Sequence, residues 1–416
     1  MTTTDTERGP AAGRAAAPPT DPPSTDAARS GTRPSASATA RLRLAWRQMP
    51  VLAALRRQVR ADRPLLGVPV AAAMHVSTET AHLMVTLKDA GARLLLHPSN
   101  LGTLDPAAVA ELRRRAIRVN LPDTGSASLT EQLAAFRPRL LADNGTLLTA
   151  CADVPALAGD LLGATVHSRN AERTARALAA AGRLPVPVIP VADSVLKSAV
   201  ETPAGTGQST VHALVRATGV QLGGKRAVVV GYGTAGTGIA RYLQAMRCRV
   251  TVVDTSAVAC LRALADGHAV GALDTVLADA DIVVVATGTR KVVTDRHLDL
   301  LPDGVLLGNI GHYPDAIDVP ALTRAADRVT ALGGGVHEYL LAGRSVFLLG
   351  EGSQLNHVCA GGNSSETMDL TLSLHVLCLL HLVRRPDDLV PGLNPLPDSF
   401  SETVARAKLR ALGHVA

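Results

Sequence analysis

Apolar and polar residues alternate in blocks along most of the chain, and these blocks predict strands and helices in turn. Apolar runs such as LLGVPVAAAM, ARLLLHPS and RPRLLADN are typical of buried strands. The segments between them, including STETAHLMVTLKDAG and DPAAVAELRRRA, place apolar residues at helical spacing. Strands that alternate with helices predict a parallel sheet of the α/β class.

Polar side chains stand at the carboxyl ends of several predicted strands. They are His75, Ser99, Asn100, Asp143 and Asn144. In open parallel sheets the ligand crevice lies at these ends. We therefore expect a binding site there, formed by residues that are far apart in sequence.

A second alternating series begins near Gly224. Its predicted strands are KRAVVVG, CRVTVVD, ADIVVVAT and GVLLGNIG, with SVFLLGEG as a further candidate. After Asn356 the pattern becomes helical, through SETMDLTLSLHVLCLLHLV and then SETVARAKLRAL. The predicted fold is α/β, with two doubly wound parallel-sheet domains.

Composition and charge exclude several classes of function. Residues 1–40 are mainly Ala, Pro, Thr, Ser and Gly, which predicts a disordered tail without a secretion signal. The net charge of +6 comes from scattered arginines without a basic stripe, which argues against nucleic acid as a partner. No apolar run reaches about 18 residues, so no membrane span is expected. Five cysteines without CxxC spacing predict reduced cytoplasmic thiols and no metal site.

The segment KRAVVVGYGTAGTGIARYLQAMRCRVTVVD has the parts of a dinucleotide-binding βαβ unit. A strand leads into Gly231, Gly233 and Gly236, which provide a tight turn, close approach to a pyrophosphate and helix–strand packing. Asp254 ends the next strand, where an acid binds a ribose diol and repels a 2′-phosphate. We therefore predict NAD rather than NADP. Thr287, after the strand ADIVVVA, is assigned to the same site.

Lys197 is an unusual residue in this chain, because only five of its 42 basic residues are lysines. Its neighbours Val195, Leu196, Ala199 and Val200 are apolar. A surface ion pair with Glu201 is the alternative explanation, but Lys before Glu is the less favourable order at this spacing. Since a buried lysine can act as a base and arginine cannot, the sequence favours a chemical role.

Several motifs together resemble those of the S-adenosyl-L-homocysteine hydrolase family. GYGTAGTG is similar to that family's cofactor loop, DSVLKS to its catalytic lysine segment, and GNIGHYPDAID to its Asn-Ile-Gly-His signature. MHVSTETAHL resembles its adenine-site motif, and LLGEGSQLNHVCA resembles its second hinge. The resemblance extends in order from about Arg41 to the C-terminus.

The resemblance implies a Rossmann NAD domain inserted into a discontinuous substrate domain. The boundaries expected on this basis are a tail at 1–40, substrate-binding parts at 41–195 and 357–390, an NAD domain at 196–356 and a C-terminal helical segment at 391–416. It also implies hinge closure and a homotetramer. The implied reaction oxidises a ribose 3′-hydroxyl with NAD+, eliminates the 5′ substituent across C4′–C5′, adds water and reduces the ketone again.

The resemblance also assigns roles to individual residues. Lys197 would assist deprotonation of the 3′-hydroxyl, and His312 would lie near the nicotinamide. His75 and Asp143 would handle the proton and water at the 5′ position, although Asp143 in ADNG is also a common turn residue. The remaining matches are adenine-facing residues, a cofactor contact and the hinge asparagine: Ser77, Glu79, Asn309 and Asn356.

Departures from the family pattern surround the sugar and the base. His167, Ser168, Arg169 and Asn170 stand where the family has an acid, which binds the sugar diol, and three threonines. Glu201 replaces an aspartate near the sugar hydroxyls, Thr202 an asparagine, and Asn363 a histidine that borders the adenine. The family's C-terminal tail, which contacts a neighbouring subunit's cofactor, is not recognised before Ala416, so either a shorter tail contact or weaker NAD retention is expected.

Three functions are compatible with these observations. An ordinary S-adenosylhomocysteine hydrolase is difficult to reconcile with His167, because a diol site loses affinity when its carboxylate is removed. A nucleoside dehydratase of specialised metabolism retains the redox chemistry and changes the sugar, as the unsaturated ketohexose antibiotics of the angustmycin (decoyinine) type require. A non-catalytic NAD-binding regulator is disfavoured by the retained lysine and histidines. We favour the dehydratase.

Overall fold

The computed structural model describes residues 36–121 and 127–415. Residues 1–35 of the predicted tail lie outside the described residues. Helix α1 (Ala36–Arg47) already includes residues 36–40, so this part of the predicted tail is helical instead. The helix is held by apolar contacts, because Leu42 is buried and the Trp46 ring stacks on His82 at 4.7 Å between centroids.

The first sheet contains seven parallel strands in the order β15-β6-β5-β4-β1-β2-β3. These strands are β1 (Pro69–Met74), β2 (Arg93–Pro98), β3 (Arg118–Val119), β4 (Leu140–Asp143), β5 (Gly163–Val166), β6 (Pro187–Pro190) and β15 (Gly392–Leu393). The helices around them are α2 (Pro50–Asp62), α3 (Thr78–Asp89), α4 (Pro106–Arg114), α5 (Leu129–Phe136), α6 (Thr146–Asp153), α7 (Arg169–Ala180), α14 (Ser365–Arg384) and α15 (Asp398–Ala411).

The second sheet contains eight strands in the order β12-β13-β14-β11-β10-β7-β8-β9. These strands are β7 (Arg226–Val230), β8 (Arg249–Val253), β9 (Ala269–Val270), β10 (Ile282–Val285), β11 (Val305–Asn309), β12 (Arg328–Gly333), β13 (Val336–Leu341) and β14 (Arg344–Gln354). The associated helices are α8 (Gly207–Thr218), α9 (Thr234–Ala245), α10 (Ala257–Ala265), α11 (Leu273–Val276), α12 (Val319–Ala325) and α13 (Leu355–Ala360).

Short 3₁₀ helices connect many of these elements. They span Leu101–Thr103, Pro155–Leu157, Val191–Asp193, Leu277–Asp279, Asp295–Leu300, Pro314–Ala316 and Pro386–Asp388.

The prediction of α/β architecture with two parallel-rich sheets is confirmed, but one edge of the second sheet is antiparallel. Strand β13 pairs antiparallel with both β12 and β14. The sequence did not reveal this hairpin because β12 is largely exposed and shows no alternation of apolar residues. Glycines at 333–335, all with positive φ, make its turn.

The chain passes from the first sheet to the second through a π-helix at Leu196–Thr206, and it returns through α13. The segment 391–416 contains a helix, α15, as the sequence suggested, and it also contains strand β15. Its strand β15 joins the edge of the first sheet beside β6, and α15 packs against α2 and α14. The first sheet is therefore built from both ends of the chain.

Helix α14 is long and apolar enough to cross a membrane by length and composition, which the search for apolar runs did not reveal. In the structure 67% of its most apolar window is buried inside the protein. Leu372, Leu374, Val376 and Leu379 are all fully buried in the first core. We therefore interpret α14 as the core helix of the first sheet.

Glycines allow the π-helix to pack closely on α9. A Cβ added at Gly238 would lie 2.2 Å from the carbonyl oxygen of Pro203, inside the π-helix. A Cβ at Gly207 would lie 2.8 Å from the backbone of Gly238. The position of the π-helix is therefore set by backbone-to-backbone contact with the second domain.

Replacement of Gly238 by alanine tests this contact. Alanine is favoured over glycine in a helix by about 1 kcal/mol, but the clash with Pro203 costs roughly 1–3 kcal/mol or more. We expect Gly238→Ala to lower the free energy of unfolding, measured by urea denaturation. Gly233→Ala is the matched control, because nothing lies within 4 Å of a Cβ added there. Equal stability of the two variants would contradict this account of the packing.

Candidate active site

A cleft of about 370 Å³ lies between the two sheets and is lined by residues from both. It brings together most of the residues that the sequence singled out. These are Lys197, Glu201, His75, His312, Ser77, Glu79, His167, Ser168, Asn363, Gly233, Thr287 and Asn356. A second cavity of about 430 Å³ adjoins the first, sharing His75 and His312 with it and adding Asn100.

The π-helix carries Lys197 and Glu201 into the cleft. Their side chains form an ion pair in which the glutamate is fully buried and the lysine 13% exposed. The Lys197–Glu201 ion pair that the sequence left as the alternative is thus present, but it is buried rather than on the surface, and contact of Glu201 with a sugar stays a prediction. The apolar residues beside Lys197 predicted that this segment is buried. The prediction holds only in part, because Leu196 is buried but Val195 is 60% exposed.

Asn363 connects Glu201 to the second domain. Its Nδ2 donates to Glu201 Oε1 at 2.6 Å, and its Oδ1 accepts from the Ser209 hydroxyl at 3.2 Å. Asn356 Nδ2 donates to Ser209 Oγ at 3.1 Å, and the buried Asn356 Oδ1 has no partner within the described part of the protein. That free acceptor is available to a ligand in the cleft.

His167 lies on the other side of Lys197. Its Nε2 is 3.1 Å from Lys197 Nζ, and its Nδ1 is 3.1 Å from Nε2 of the fully buried His375 on α14. His375 Nδ1 is in turn 2.8 Å from the hydroxyl of Thr165 on β5. Both ring nitrogens of His167 are thus engaged within the protein, although the sequence predicted that it binds substrate.

Burial governs the protonation of these rings. It lowers the pKa of His375 to about 3, and the nearby Lys197 charge acts in the same direction. The pKa of His167 is also lowered well below its usual value, first by burial and then by Lys197. Both imidazoles are therefore neutral at physiological pH, and each has one donor and one acceptor nitrogen.

His75 follows β1 and lies where the two cavities meet. Its Nδ1 is 2.7 Å from Thr103 Oγ1, whose hydroxyl donates to the carbonyl of Asn100 at 2.9 Å. Nδ1 is therefore the protonated nitrogen, and Nε2 is left as an acceptor. The His357 ring stacks on His75 at 4.2 Å. Burial, followed by the charge of His312, lowers the pKa of His75 to about 4.

Asp143 ends β4 but does not line either cavity. Its carboxylate is fully buried and accepts hydrogen bonds from the backbone N–H groups of Thr146, Leu147 and Leu148 at 2.9–3.1 Å. Burial raises its pKa, while these hydrogen bonds act against that shift. The geometry thus supports the turn-and-helix role that the sequence left as the alternative, rather than contact with substrate.

Asn309 also organises backbone instead of lining the cleft. Its Nδ2 donates to the carbonyl groups of Gly311, Tyr313 and Gly352, and its Oδ1 accepts from Gly311 N at 2.7 Å. These bonds fix the loop that carries His312 into both cavities. Burial lowers the pKa of His312, with Arg173 and Arg290 as further causes.

The other predicted substrate residues begin helices at the edge of the cleft. Ser77 and Ser168 cap α3 and α7, accepting from Thr80 N and Ala171 N at 3.3 Å. Asn100 caps a 3₁₀ turn by accepting from Gly102 N at 2.9 Å. Glu79 accepts from the Ser365 hydroxyl at 2.5 Å, which joins α3 to α14.

The glycine loop fits a dinucleotide. Gly231 has φ +98°, and a Cβ there would lie 2.9 Å from the Ala286 carbonyl oxygen. A Cβ at Gly236 would lie 1.8 Å from Gly231 O, whereas Gly233 faces open space. Gly233 is the N-cap residue that precedes α9 and provides no side-chain cap, so the N–H groups of the first helical turn are available to a pyrophosphate.

Asp254 follows β8 beside this loop. Its Oδ2 accepts from Tyr232 N at 2.6 Å and its Oδ1 from Ser256 N at 2.8 Å. The backbone thus fixes the carboxylate, and each oxygen keeps a further lone pair for a ribose hydroxyl. Thr287 lines the same cleft as Gly233.

The glycine loop and Asp254 form a cradle for a dinucleotide, and this cradle opens onto the cleft that contains Lys197 and the histidines. This arrangement defines an α/β enzyme with a nicotinamide cofactor. The model of the S-adenosyl-L-homocysteine hydrolase NAD binding domain matches residues 204–362, and the S-adenosyl-L-homocysteine hydrolase model matches residues 35–121. The chain belongs to the S-adenosyl-L-homocysteine hydrolase family, and its cofactor is NAD.

Similar proteins include the adenosylhomocysteinase of Aeropyrum pernix, 35% identical over 90% of this chain and 92% of the relative. The S-inosyl-L-homocysteine hydrolase of Methanopyrus kandleri is 32% identical over 91% of this chain and 92% of the relative. A more distant likeness in fold is a glyoxylate reductase from Paecilomyes thermophila, with 14% identity, a TM-score of 0.45, and coverage of 80% of this chain and 99% of that one.

Sequence reasoning did not identify His357, His375 or Thr103. His375 lies inside an apolar helix, where the available signal was a histidine among apolar residues in SLHVLCLLHLV, a stretch that also contains His381. His357 and Thr103 gave no local signal, because their importance arises from contact with His75.

Acid should destabilise the protein through its buried histidines. Burial, followed by the nearby His75 and Lys197, lowers the pKa of His357 to about 3. Between pH 6.5 and this value the unfolded chain binds a proton that the native chain does not, so stability is lost as pH falls. Each such histidine costs about 1.4 kcal/mol per pH unit.

The test is urea unfolding of the native sequence and of His357→Phe, which keeps a ring against His75, at several pH values. The variant should lose roughly 2 kcal/mol less stability between pH 6.5 and pH 5. Identical pH slopes for the two proteins would show that His357 is not held neutral by the fold.

Proposed function

We propose that this enzyme acts on the sugar of an adenine nucleoside by 3′-oxidation, elimination across C4′–C5′ and re-reduction. When bound, NAD supplies the hydride acceptor and later the hydride donor. The observation that carries the proposal is the position of Lys197, held between Glu201 and His167 in a cleft that adjoins the glycine cradle. A cytoplasmic homotetramer is part of the same proposal, by likeness to the family.

Lys197 is the group best suited to take the proton of the 3′-hydroxyl. Its amine nitrogen is hydrogen-bonded to two acceptors, Glu201 and His167. Its remaining bonding direction therefore points away from both of them. A base held at a fixed position contributes about 10²–10⁴-fold to proton transfer. The same amine can return the proton when the ketone is reduced.

His75 is suited to the elimination step. The 3′-ketone makes the C4′ hydrogen acidic, and neutral Nε2 of His75 can accept that proton. The electron pair of the C4′–H bond then forms the C4′–C5′ double bond as the 5′ group leaves. A leaving hydroxide needs a proton, which the same imidazole can supply, so that water departs and His75 is neutral again.

The carboxylates of the cleft support a substrate with an altered sugar. Among the described residues that line it, the carboxylates are Glu79 and Glu201. Glu79 accepts from Ser365, and Glu201 is engaged by Lys197 and Asn363. Both carboxylates are thus bonded within the protein, and the position where the family has its diol-binding acid is occupied by His167, whose two ring nitrogens contact Lys197 and His375. We therefore favour a dehydratase that forms a 4′,5′-unsaturated nucleoside in specialised metabolism, as in nucleoside antibiotic biosynthesis.

Hydrolysis of S-adenosylhomocysteine to adenosine and homocysteine is the second candidate. The second cavity favours it, because its 430 Å³ adjoin His75 and could hold a thioether tail. The two similar proteins named above are hydrolases of S-adenosyl- or S-inosyl-homocysteine by name. A non-catalytic NAD-binding regulator finds less support, because Lys197, His75 and His312 all reach the cleft.

The two enzymatic candidates differ in their products. We expect NAD-loaded protein to remove one water from an adenine ketohexose nucleoside, detected as a mass loss by mass spectrometry. With S-adenosylhomocysteine we expect little thiol, measured with a thiol reagent against a known hydrolase. Thiol release at the rate of that hydrolase, without loss of water from the nucleoside, would refute the dehydratase and support the second candidate.

His75→Gln should separate oxidation from elimination. The variant keeps a polar group beside Thr103 but removes the basic nitrogen, so NADH should still form while product formation falls about 10²–10⁴-fold. NADH absorbance after mixing and product mass provide the two measurements. His212→Gln, at an exposed position on α8, is the control. Equal loss of NADH formation and product would contradict this division of roles.

A further inference from the structure

A chain of hydrogen bonds leads from the cleft into the core of the first domain. It runs from Lys197 to His167, from His167 to His375, and from His375 to the Thr165 hydroxyl. The three distances are 3.1, 3.1 and 2.8 Å. His375 and Thr165 are fully buried, and neither lines the cleft.

The direction of this chain follows from its outer end, because the ion-paired Lys197 ammonium has only N–H donors and Nε2 of His167 must accept from it. At the inner end the Thr165 hydroxyl can donate to the Leu141 carbonyl at 3.4 Å, which leaves its oxygen to accept from Nδ1–H of His375 at 2.8 Å. Nε2 of His375 is then an acceptor and takes the Nδ1–H of His167. Nε2 of His167 is in turn left as an acceptor that faces Lys197.

We propose that His375 is a positioning residue that selects the tautomer of His167 and thereby keeps the lone pair of Lys197 available to the substrate. The inference rests on the proposed function, in which Lys197 takes the proton of the 3′-hydroxyl. It adds a residue that touches neither substrate nor cofactor.

The Lys197 ammonium must first release one proton to water in the cleft before it can act as a base, and the two possible tautomers of His167 then have opposite effects on the neutral amine. In the tautomer that His375 selects, the two N–H bonds of the amine point to His167 and Glu201. Its lone pair then faces the cleft. The substrate O–H bond breaks with its proton bonding to Nζ, while hydride leaves C3′ for bound NAD+.

In the other tautomer Nε2–H of His167 points at Nζ. The lone pair of a neutral amine is then occupied by His167, and an ammonium would face another donor. Without an acceptor at position 375, the buried Nδ1–H of His167 has no partner, which favours this unproductive form. Burial keeps both rings neutral, because the pKa values of His167 and His375 are lowered.

The test compares His375→Leu with His375→Gln in the NAD-loaded full-length protein. Leucine fills the site but accepts no hydrogen bond, so NADH formation from the nucleoside should slow by about 10–100-fold with little change in KM. Unfolding stability should fall, because His167 and Thr165 each lose a buried hydrogen-bond partner, so the variants are assayed under conditions in which urea unfolding shows that all of them are folded. Glutamine can accept from His167 and donate to Thr165, so it should restore most of the rate.

Two further variants sharpen the result. Thr165→Val removes the hydroxyl at the inner end of the hydrogen-bond chain. It should also slow NADH formation, but by a smaller factor than His375→Leu does. His381→Leu, on the same helix but against Phe400, should leave the rate unchanged. An unchanged rate in His375→Leu would overturn the proposal, as would a glutamine variant as slow as the leucine variant.

Lys197→Met distinguishes the failure of this inference from failure of the proposed function. Three nucleosides are first compared with the native protein: the adenine ketohexose nucleoside, S-adenosylhomocysteine and adenosine. The one that reduces NAD most rapidly is then used for all variants. If Lys197→Met still forms NADH at the normal rate, the proposed base is wrong and both proposals fall. If that variant is inactive and His375→Leu is normal, only the role of His375 is refuted. No NADH from any of the three nucleosides would overturn both.

Discussion

The buried ion pair between Lys197 and Glu201 is the interaction on which the rest of the site depends. A fully buried carboxylate is costly to desolvate, and its pairing is stable only when its other lone pairs are also used. Asn363 provides that second contact with Glu201 at 2.6 Å, and Asn363 is itself held by Ser209 and Thr206. The pair therefore requires an amide network that reaches from the π-helix to α8 and α13.

This network coincides with the two places where the chain crosses between the sheets. The π-helix is the first crossing, and α13, which begins at Leu355, is the second. Glycines at 207 and 238 allow the first crossing to touch α9, whose N-terminus forms the cofactor cradle. A shift between the two domains would consequently change the surroundings of Lys197 and the shape of the cradle together.

The sequence predicted those features that depend on local spacing. The glycine loop and Asp254 lie within one βαβ unit, so their geometry follows from short-range pattern. Glu201, His167 and Asn363 were identified, but the contacts of Glu201 with Asn363 and of His167 with His375 were not, because each pair lies more than 150 residues apart along the chain. Asp143 and Asn309 were identified from a strand end and from the family motifs, and only the structure reveals that backbone N–H or carbonyl groups occupy their polar atoms.

Because His167 is neutral and contacts the core residue His375, the packing of the core affects which hydrogen-bond acceptors the cleft offers to a sugar. A carboxylate at this position could accept hydrogen bonds from both a lysine and a sugar hydroxyl, since it has four lone pairs. A neutral imidazole has two nitrogens, and Lys197 and His375 use both. Relative to a carboxylate, His167 therefore keeps an acceptor for Lys197 and offers none to a sugar hydroxyl. Under the proposed function, hydroxyl groups of the lining such as Ser198 and Thr202 would contact the sugar, and they would tolerate a more substituted sugar than a carboxylate fitted to a diol does.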